Sequence, residues 1–227
     1  MAITVEAPSP GAGAIEQPLG AGLRLLSAFE LTWDGDPVLL PMPAQRLLAF
    51  VALRDRPVLR TYAAETLWLE SSEAHACGSL RSALWRLRRP GYELVDVTSG
   101  GLRLESRVAV DVRVLAAWAR RVLDAPEAVA GELPGVSGLG DAVFGDLLQD
   151  WYDDWLVFER ERLRELRARA LERVCERLTY GGSFGPAIEA GLAAIRSEPL
   201  RESAHRCLIG VYLAEGNQAE ALCGYRR

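Results

Sequence analysis

Lysine is absent from the 227-residue chain, so all 26 basic residues are arginine. Three classes of protein depend on a lysine at a fixed place. A P-loop uses one to contact nucleotide phosphates, a protein kinase uses one on a strand of its ATP site, and a pyridoxal enzyme binds its cofactor through one. The absence of lysine therefore excludes these classes in their usual form.

Cysteine is sparse and long apolar runs are missing. The first residues do not resemble a signal segment, in which basic residues are followed by an apolar stretch. Arg, Asp or Glu interrupts every apolar run before it reaches the roughly 18 residues that a membrane-spanning helix needs. The four cysteines form no C-x-x-C pair: Cys77, Cys175, Cys207 and Cys223. We therefore expect a cytoplasmic protein with no membrane segment.

Histidine occurs only twice, in His75-Ala76-Cys77 and His205-Arg206-Cys207. Both tripeptides fall in predicted helices, where residues i and i+2 point about 200° apart and cannot bind one ion. A group of four acids lacks the glycine turn of a calcium loop and is explained as well by acids near a helix N-terminus: Asp146, Asp150, Asp153 and Asp154. We expect neither a metal site nor a cofactor.

The composition is that of a folded globular protein, with 49% apolar and 25% charged residues. The net charge of −5 argues against a surface that binds polyanions everywhere, although it allows a local basic patch. No serine lies in a G-x-S-x-G elbow, and no cysteine has a histidine partner that the sequence reveals. We therefore do not expect an enzyme.

The first 22 residues are rich in Ala, Gly and Pro and contain two glutamates and no arginine, which predicts a mobile tail. From Leu23, β-prone residues precede turn residues at 33–37 and then Val38-Leu39-Leu40, which predicts a small antiparallel sheet. A helix is predicted over about 43–54, with Pro43 in its first turn. A second, short helix follows, with Thr61 expected to cap it.

A third helix is predicted over 74–89, with leucines at spacings of four and three on its buried face. A hairpin follows, with strands over 92–98 and 102–105 and glycines in its turn where positive φ is needed. Between positions 74 and 92 the sequence contains no acid and four arginines, a concentration that attracts phosphates: Arg81, Arg86, Arg88 and Arg89.

Ser79, Ser82 and Arg86 share one stripe of this helix, where small hydroxyls allow close approach to a DNA major groove. A solvated arginine face is the alternative. The short helix before and the hairpin after favour a helix-turn-helix with a wing.

The chain after Asp111 is predicted to be helical, beginning with Val114, Leu115, Trp118 and Val122 at helical spacing. A Gly/Pro-rich connection near 125–140 is followed by a long amphipathic helix, whose charged side we expect to be solvated and laced with i,i+4 ion pairs. Its apolar face comprises Phe158, Leu163, Leu166, Ala170, Val174 and Leu178.

An internal repeat follows, with a separation of 34 positions, the period of the tetratricopeptide helix pair. Small residues at matched positions allow paired helices to approach closely. The matched pairs are Gly182 with Gly216, Ala187 with Ala221, and Ile188 with Leu222.

Two sets of motifs, in this order, resemble a known family. Residues 23–105, with Leu80-Arg81-Ser82-Ala83-Leu84-Trp85-Arg86-Leu87-Arg88-Arg89, are similar to the winged-helix DNA-binding domain of response-regulator type. Segments that begin at Val110-Asp111-Val112, Asp150-Trp151 and Glu198-Pro199 are similar to the bacterial transcriptional activation domain. From about residue 23 to 227, the chain resembles the Streptomyces antibiotic regulatory protein family of transcription activators.

With the disordered tail over 1–22 that the composition predicts set apart, the resemblance implies an α+β winged helix-turn-helix domain over 23–107. It implies an all-α, tetratricopeptide-like bacterial transcriptional activation domain over 108–227. The implied partners are double-stranded DNA, bound at promoter direct repeats by two protomers side by side, and RNA polymerase holoenzyme. Control of secondary-metabolite genes is implied as well.

The resemblance also implies roles for single residues at the DNA. Ser79, Ser82 and Arg86 would face bases, and Trp85 stands beside them where a small polar residue is expected. Four further residues would contact phosphates or a neighbouring protomer: Thr61, Arg81, Arg88 and Arg89. Arg103, on the wing, would reach the minor groove or its backbone. Trp68 would also approach phosphate, although we expect part of it in the core.

The leading hypothesis is a sequence-specific DNA-binding transcriptional regulator, in the form of an activator. The alternative is a protein-interaction module whose degenerate winged helix does not bind DNA, a possibility that Trp85 suggests. The sequence does not separate activation from repression, because recruitment and blockade can use the same fold.

Overall fold

The computed structural model describes residues 20–89, 92–125 and 144–226. The predicted tail lies outside these residues except at 20–22, and Ala21 already belongs to the first strand. The predicted Gly/Pro-rich connection lies outside them too, apart from Ala125.

A small sheet forms first, from β1 (Ala21–Arg24), β2 (Glu30–Trp33) and β3 (Asp36–Pro37). The strands pair antiparallel, as predicted, with Leu23 opposite Leu31. The turn is Asp34-Gly35, with φ of 50° and 92°, the two positive values that a tight hairpin turn requires. Because this turn is so short, β3 begins at Asp36, and the prediction of a strand over residues 38–40 was wrong.

Three helices pack beside the sheet: α1 (Met42–Ala52), α2 (Arg60–Leu67) and α3 (Glu73–Leu87). Pro43 lies in the first turn of α1, as predicted. The prediction that Thr61 caps α2 was wrong, because the helix begins one residue earlier, after Leu59, and has no side-chain cap. Thr61 therefore lies within the first turn.

The third helix ends earlier than predicted. Arg88 and Arg89 leave α3 and form β4 (Arg88–Arg89), which pairs antiparallel with β5 (Tyr92–Glu93). The residue before a proline is disfavoured in the helical conformation, so Pro90 pushes Arg89 towards an extended backbone. The prediction of a single helix to residue 89 was therefore wrong at its last two residues.

The predicted hairpin is confirmed as β6 (Val95–Thr98) and β7 (Gly101–Leu104), which we call the wing. Two backbone hydrogen bonds of 2.8 Å join Leu102 of the wing to Val58, just before α2. Gly101 has a φ of 128°, whereas Gly100 in the turn has no positive φ, so only one of the two glycines fills the predicted role.

The strand β8 (Ala109–Val110) pairs parallel with β1 and gives the sheet the order β3-β2-β1-β8. The helix α4 (Asp111–Asp124) follows and was predicted. The Asp111 carboxylate accepts hydrogen bonds of 2.7–3.0 Å from the backbone N–H groups of Leu25, Leu26 and Val112. Burial nevertheless raises the pKa of Asp111 above its ordinary value.

The rest is helical, as predicted: α5 (Asp154–Tyr180), α6 (Phe184–Ser197), α7 (Glu202–Glu215) and α8 (Gln218–Tyr225). The 34-residue repeat is visible in the turns between helices, since Gly182 precedes α6 with a φ of 72° and Gly216 precedes α8 with a φ of 88°. Ala187 and Ala221 are buried at matched places, so an α+β region followed by a tetratricopeptide-like helical region is confirmed.

The charged side of α5 differs from its prediction. Arg169 does form an i,i+4 pair with Glu165, but Arg167 is only 2% exposed and donates to the carbonyl of Gly145 at 2.8 Å. Arg160 donates to the carbonyls of Leu147 and Trp151 at 2.7 and 2.6 Å. These arginines donate hydrogen bonds to carbonyl groups of the irregular segment 145–151, which has few backbone partners of its own. The prediction of a purely solvated face was therefore wrong.

The apolar face of α5 is also shorter than predicted. Leu163, Ala170 and Val174 are buried, whereas Phe158 is 82% exposed. Trp155 and Leu156 are buried before Phe158 and Leu163 after it, so Phe158 lies off the buried stripe and points away from the core that Leu156 and Leu163 enter.

Candidate nucleic-acid interface

One half of α3 is buried, and this fixes which residues the helix presents to solvent. The buried side chains are spaced three and four apart and pack towards α1 and α2: Ala76, Leu80, Ala83, Leu84 and Leu87. The opposite half is therefore free of core contacts and available for a ligand.

The exposed half of α3 contains two stripes. Ser79, Ser82 and Arg86 form one, which borders a crevice of about 420 Å³ that Pro43 and Trp68 close on the other side. Trp68 is half-buried and packs against the core. The three residues thus line one surface, as their spacing predicted.

The second stripe consists of Arg81 and Trp85, four residues apart, and Arg88 follows just past the end of the helix in β4. All three are exposed, and the Trp85 side chain is 75% exposed. Trp85 and Ser82 lie along the outermost line of the helix, so a ligand seated on α3 would meet the indole first.

The Ser82 hydroxyl already has one partner, because it donates a hydrogen bond of 3.1 Å to the carbonyl of Gly78 one turn earlier. A serine hydroxyl has one hydrogen to donate and two lone pairs. In this rotamer, Ser82 offers a ligand an acceptor and not a donor.

The arginines of this surface are not neutralised. Within the described part of the chain, Arg81, Arg86 and Arg88 form no ion pair with any carboxylate. Most arginines of α5, by contrast, are engaged, as in the pair of Arg164 with Asp146 at 3.1 Å. The positive charge of α3 is therefore available to an anionic partner.

The remaining predicted residues surround α3. Arg103 is exposed on β7, with Asp96 directly across the hairpin, and Thr61 is exposed in the first turn of α2. Arg89 lies in β4, outside the helix in which it was predicted.

The groups considered for metals have other partners. His75 hydrogen-bonds through Nδ1 to Ser72 at 2.7 Å, and His205 hydrogen-bonds through Nε2 to the carbonyl of Pro199 at 2.8 Å. Asp146 pairs with Arg164, and Asp153 pairs with Arg46. Across the residues that the structure describes, no group of three or more His, Cys, Asp or Glu residues is placed to hold an ion.

The structure also tests the length of apolar helices. Among the described segments, none of the helices is both long and apolar enough to span a bilayer.

Sequence reasoning missed two features of possible functional importance: the buried arginines of α5 and the exposure of Tyr152 and Phe158. Periodicity assigns an arginine to the polar side and a phenylalanine to the apolar side of a helix. The available signal was the helical spacing of Trp155, Leu156 and Leu163, which share one face and leave Phe158 on another.

Comparison with known proteins places this geometry in context. The sequence of residues 140–227 matches the family model of the bacterial transcriptional activator domain. The structure is similar to that of Mycobacterium tuberculosis EmbR in complex with a low affinity phosphopeptide, with a TM-score of 0.70 and 24% identity. This similarity covers 93% of the present chain and 59% of EmbR, so the chain spans about three fifths of that protein. A comparison with curated proteins finds no match.

The family that matches residues 140–227 is one of transcriptional activators and not of enzymes. Residues 140–227 are therefore similar to the bacterial transcriptional activator domain, in a chain that shares the fold of EmbR over 93% of its length.

Proposed function

We propose that the chain is a sequence-specific DNA-binding transcriptional activator that binds promoter repeats as two protomers and recruits RNA polymerase. DNA binding is assigned to residues 23–107 and protein contacts to 108–227. The observation that supports this most is that Arg81, Arg86 and Arg88 have no ion pair among the described residues, in a chain whose net charge is −5. Free guanidinium groups next to small side chains provide both phosphate attraction and access to base edges.

The proposal divides the arginines by role. Arg86 shares a stripe with Ser79 and Ser82 and contacts bases, whereas Arg81, Arg88 and Arg89 contact phosphates or a neighbouring protomer. Arg103 extends the same contacts to the wing, and Thr61 adds one from α2. Trp85 packs against the sugar and base edges that approach the outermost line of α3.

The first experiment selects DNA fragments of the source genome that bind the purified chain and then measures affinity on an enriched site at several salt concentrations. We expect a repeated motif. Arg86→Ala should cost about 1–3 kcal/mol and relax the sequence preference, whereas Arg89→Ala should weaken all DNA alike and lower the salt slope by about one.

A matched control is Arg121→Ala, because Arg121 is an exposed arginine of α4 with no ion pair among the described residues. It should leave both affinity and preference unchanged. Equal losses on all sequences for the Arg86 and Arg89 variants would contradict the division of roles.

The second candidate function is a protein-interaction module that does not bind DNA. It is favoured by the 75% exposure of Trp85, since a large apolar side chain on an outer helix face is typical of protein interfaces. If no fragment is enriched even at low salt, this candidate replaces the first.

A further inference from the structure

A second concavity, of about 1110 Å³, lies between α2 and the start of α5. One wall is formed by residues 62–71, which cover α2 and the turn after it, and the other by residues 152–159. We call it the α2–α5 groove. It is an open concavity and not an enclosed pocket, so it can receive a segment of a protein.

The α2–α5 groove exposes large apolar side chains from both walls. Tyr152 and Phe158 are 93% and 82% exposed, and Tyr62 and Leu69 face them from α2 and its turn. Trp155, which is buried, completes the lining. Soluble monomers seldom gather so many exposed apolar side chains in one concavity unless it binds a partner.

The charges around the groove are uneven. Its two arginines are neutralised locally, since Arg46 pairs with Asp153 and Arg54 pairs with Glu159. Its other acids are exposed and have no ion pair within the described part of the chain: Glu65, Glu70 and Asp154. The groove therefore has an excess of negative charge, which repels nucleic acid and attracts a basic partner.

The shape of the walls selects the form of the partner. Helix α2 and helix α5 offer no strand edge, so an extended peptide would find no row of backbone hydrogen-bonding groups. Grooves between helices instead receive the apolar face of an amphipathic helix. Arginine or lysine side chains of such a helix can lie over the rings of Tyr62 and Tyr152.

We propose that the α2–α5 groove binds a basic amphipathic helix of a partner protein. Apolar anchors of that helix pack on Phe158 and Leu69, while its basic side chains face Glu65, Glu70 and Asp154. This interaction goes beyond the proposed function and does not depend on DNA binding.

The test uses a displayed library of 16-residue alanine-based helical peptides with six randomised positions on one face, selected on the full chain. We expect the enriched peptides to combine arginine or lysine with apolar or aromatic residues. By fluorescence anisotropy, the chain with Tyr152→Ala and Phe158→Ala should bind them at least tenfold more weakly. Both side chains are almost fully exposed, so their removal leaves the core intact.

A matched control is the chain with Tyr180→Ala and Tyr225→Ala, which removes aromatic rings that are 92% and 82% exposed elsewhere. It should bind the peptides as the unmodified chain does. The triple variant Glu65→Gln, Glu70→Gln, Asp154→Asn should retain part of the affinity and lose most of its salt dependence.

Three outcomes would overturn the proposal: no enrichment, enrichment of acidic or uncharged peptides, or equal binding by the Tyr152 and Phe158 variant. A fourth is a concentration-dependent dimer in sedimentation that this variant abolishes, because the occupant would then be a second copy of the chain. DNA affinity is measured in parallel, and its loss with peptide binding intact would count only against the proposed function.

Discussion

Arginine has two opposite uses in this chain, and its environment decides between them. In α5, Arg167 is enclosed and donates to the carbonyl of Gly145 and, at 2.8 Å, to the hydroxyl of Ser197. A planar guanidinium with five N–H groups can satisfy several acceptors at once, which a lysine ammonium does less well. In α3, Arg86 donates to no acceptor among the residues that the structure describes, so its donors remain available to a ligand. Composition alone could not separate these uses.

Gly101 is a residue at which a single added methyl group should have a large effect. Its φ of 128° is unfavourable for any side chain, and an added Cβ would lie 2.4 Å from the carbonyl oxygen of Val58. We expect Gly101→Ala to lower the free energy of unfolding by about 2 kcal/mol or more, measured by urea denaturation.

Gly100→Ala is the control for this change, because Gly100 has no positive φ and its added Cβ would meet only the Thr98 hydroxyl at 3.6 Å. It should change stability by less than about 0.5 kcal/mol. If both variants lost a similar amount of unfolding free energy, the close approach of Gly101 to Val58 would not be the reason that position 101 requires glycine.

Among the elements, α3 and the wing follow from local sequence and were predicted, apart from the last two residues of α3, whereas a strand pairing set by distant contacts was not. The stripe of leucines in α3 and the glycine turn of the wing act within a few residues, so they are visible in the sequence. The parallel pairing of β8 with β1 joins Leu23 to Val110, and no short-range pattern marks it. The candidate surface of α3 was predicted from spacing, whereas the α2–α5 groove arises from residues about ninety positions apart.

The segment 145–151 depends on ion pairs with α5, and this makes it sensitive to acid. Hydrogen bonds from Arg164 lower the pKa of Asp146 below its ordinary value of 3.8. A carboxyl group whose pKa is lower in the folded state than in the unfolded state stabilises the folded state. This contribution is complete at pH values above the pKa of the unfolded state, and it is lost as the pH falls through the pKa of the folded state. Asp146→Asn should therefore cost about 1 kcal/mol at pH 7, a modest value because the carboxylate is partly solvated.

The measurement is the difference in unfolding free energy between Asp146→Asn and the unmodified chain at several pH values between 7 and 3. This difference should shrink only below about pH 4. Asp150→Asn is the control, since Asp150 is exposed and has no ion pair in the described segments. A difference that is constant down to pH 3 would contradict the assignment to the carboxylate.

At the scale of the whole molecule, the α+β region and the helical region share one core. Phe50 of α1 meets Trp155 of α5 edge to face, with ring centroids 5.2 Å apart, and Phe29 stacks on Trp151 at 6.0 Å. The Leu148 amide donates to the carbonyl of Leu25 at 2.8 Å. A partner that contacts the helical region is thus linked to α3 through one packed core, as the proposed binding of both DNA and protein requires.

This shared core predicts that the two regions unfold together. Half-buried Cys77 in α3 and buried Cys175 in α5 report on one region each, through the increase in their rates of reaction with a thiol reagent as urea is raised. We expect both rates to increase at the same urea concentration, within about 0.3 M, because neither region can lose its aromatic contacts without exposing the other. Exposed Cys223 reacts throughout and serves as the internal control. If the rate for Cys77 increased at a urea concentration well below that for Cys175, the contacts of Phe50 and Phe29 would not couple the two regions.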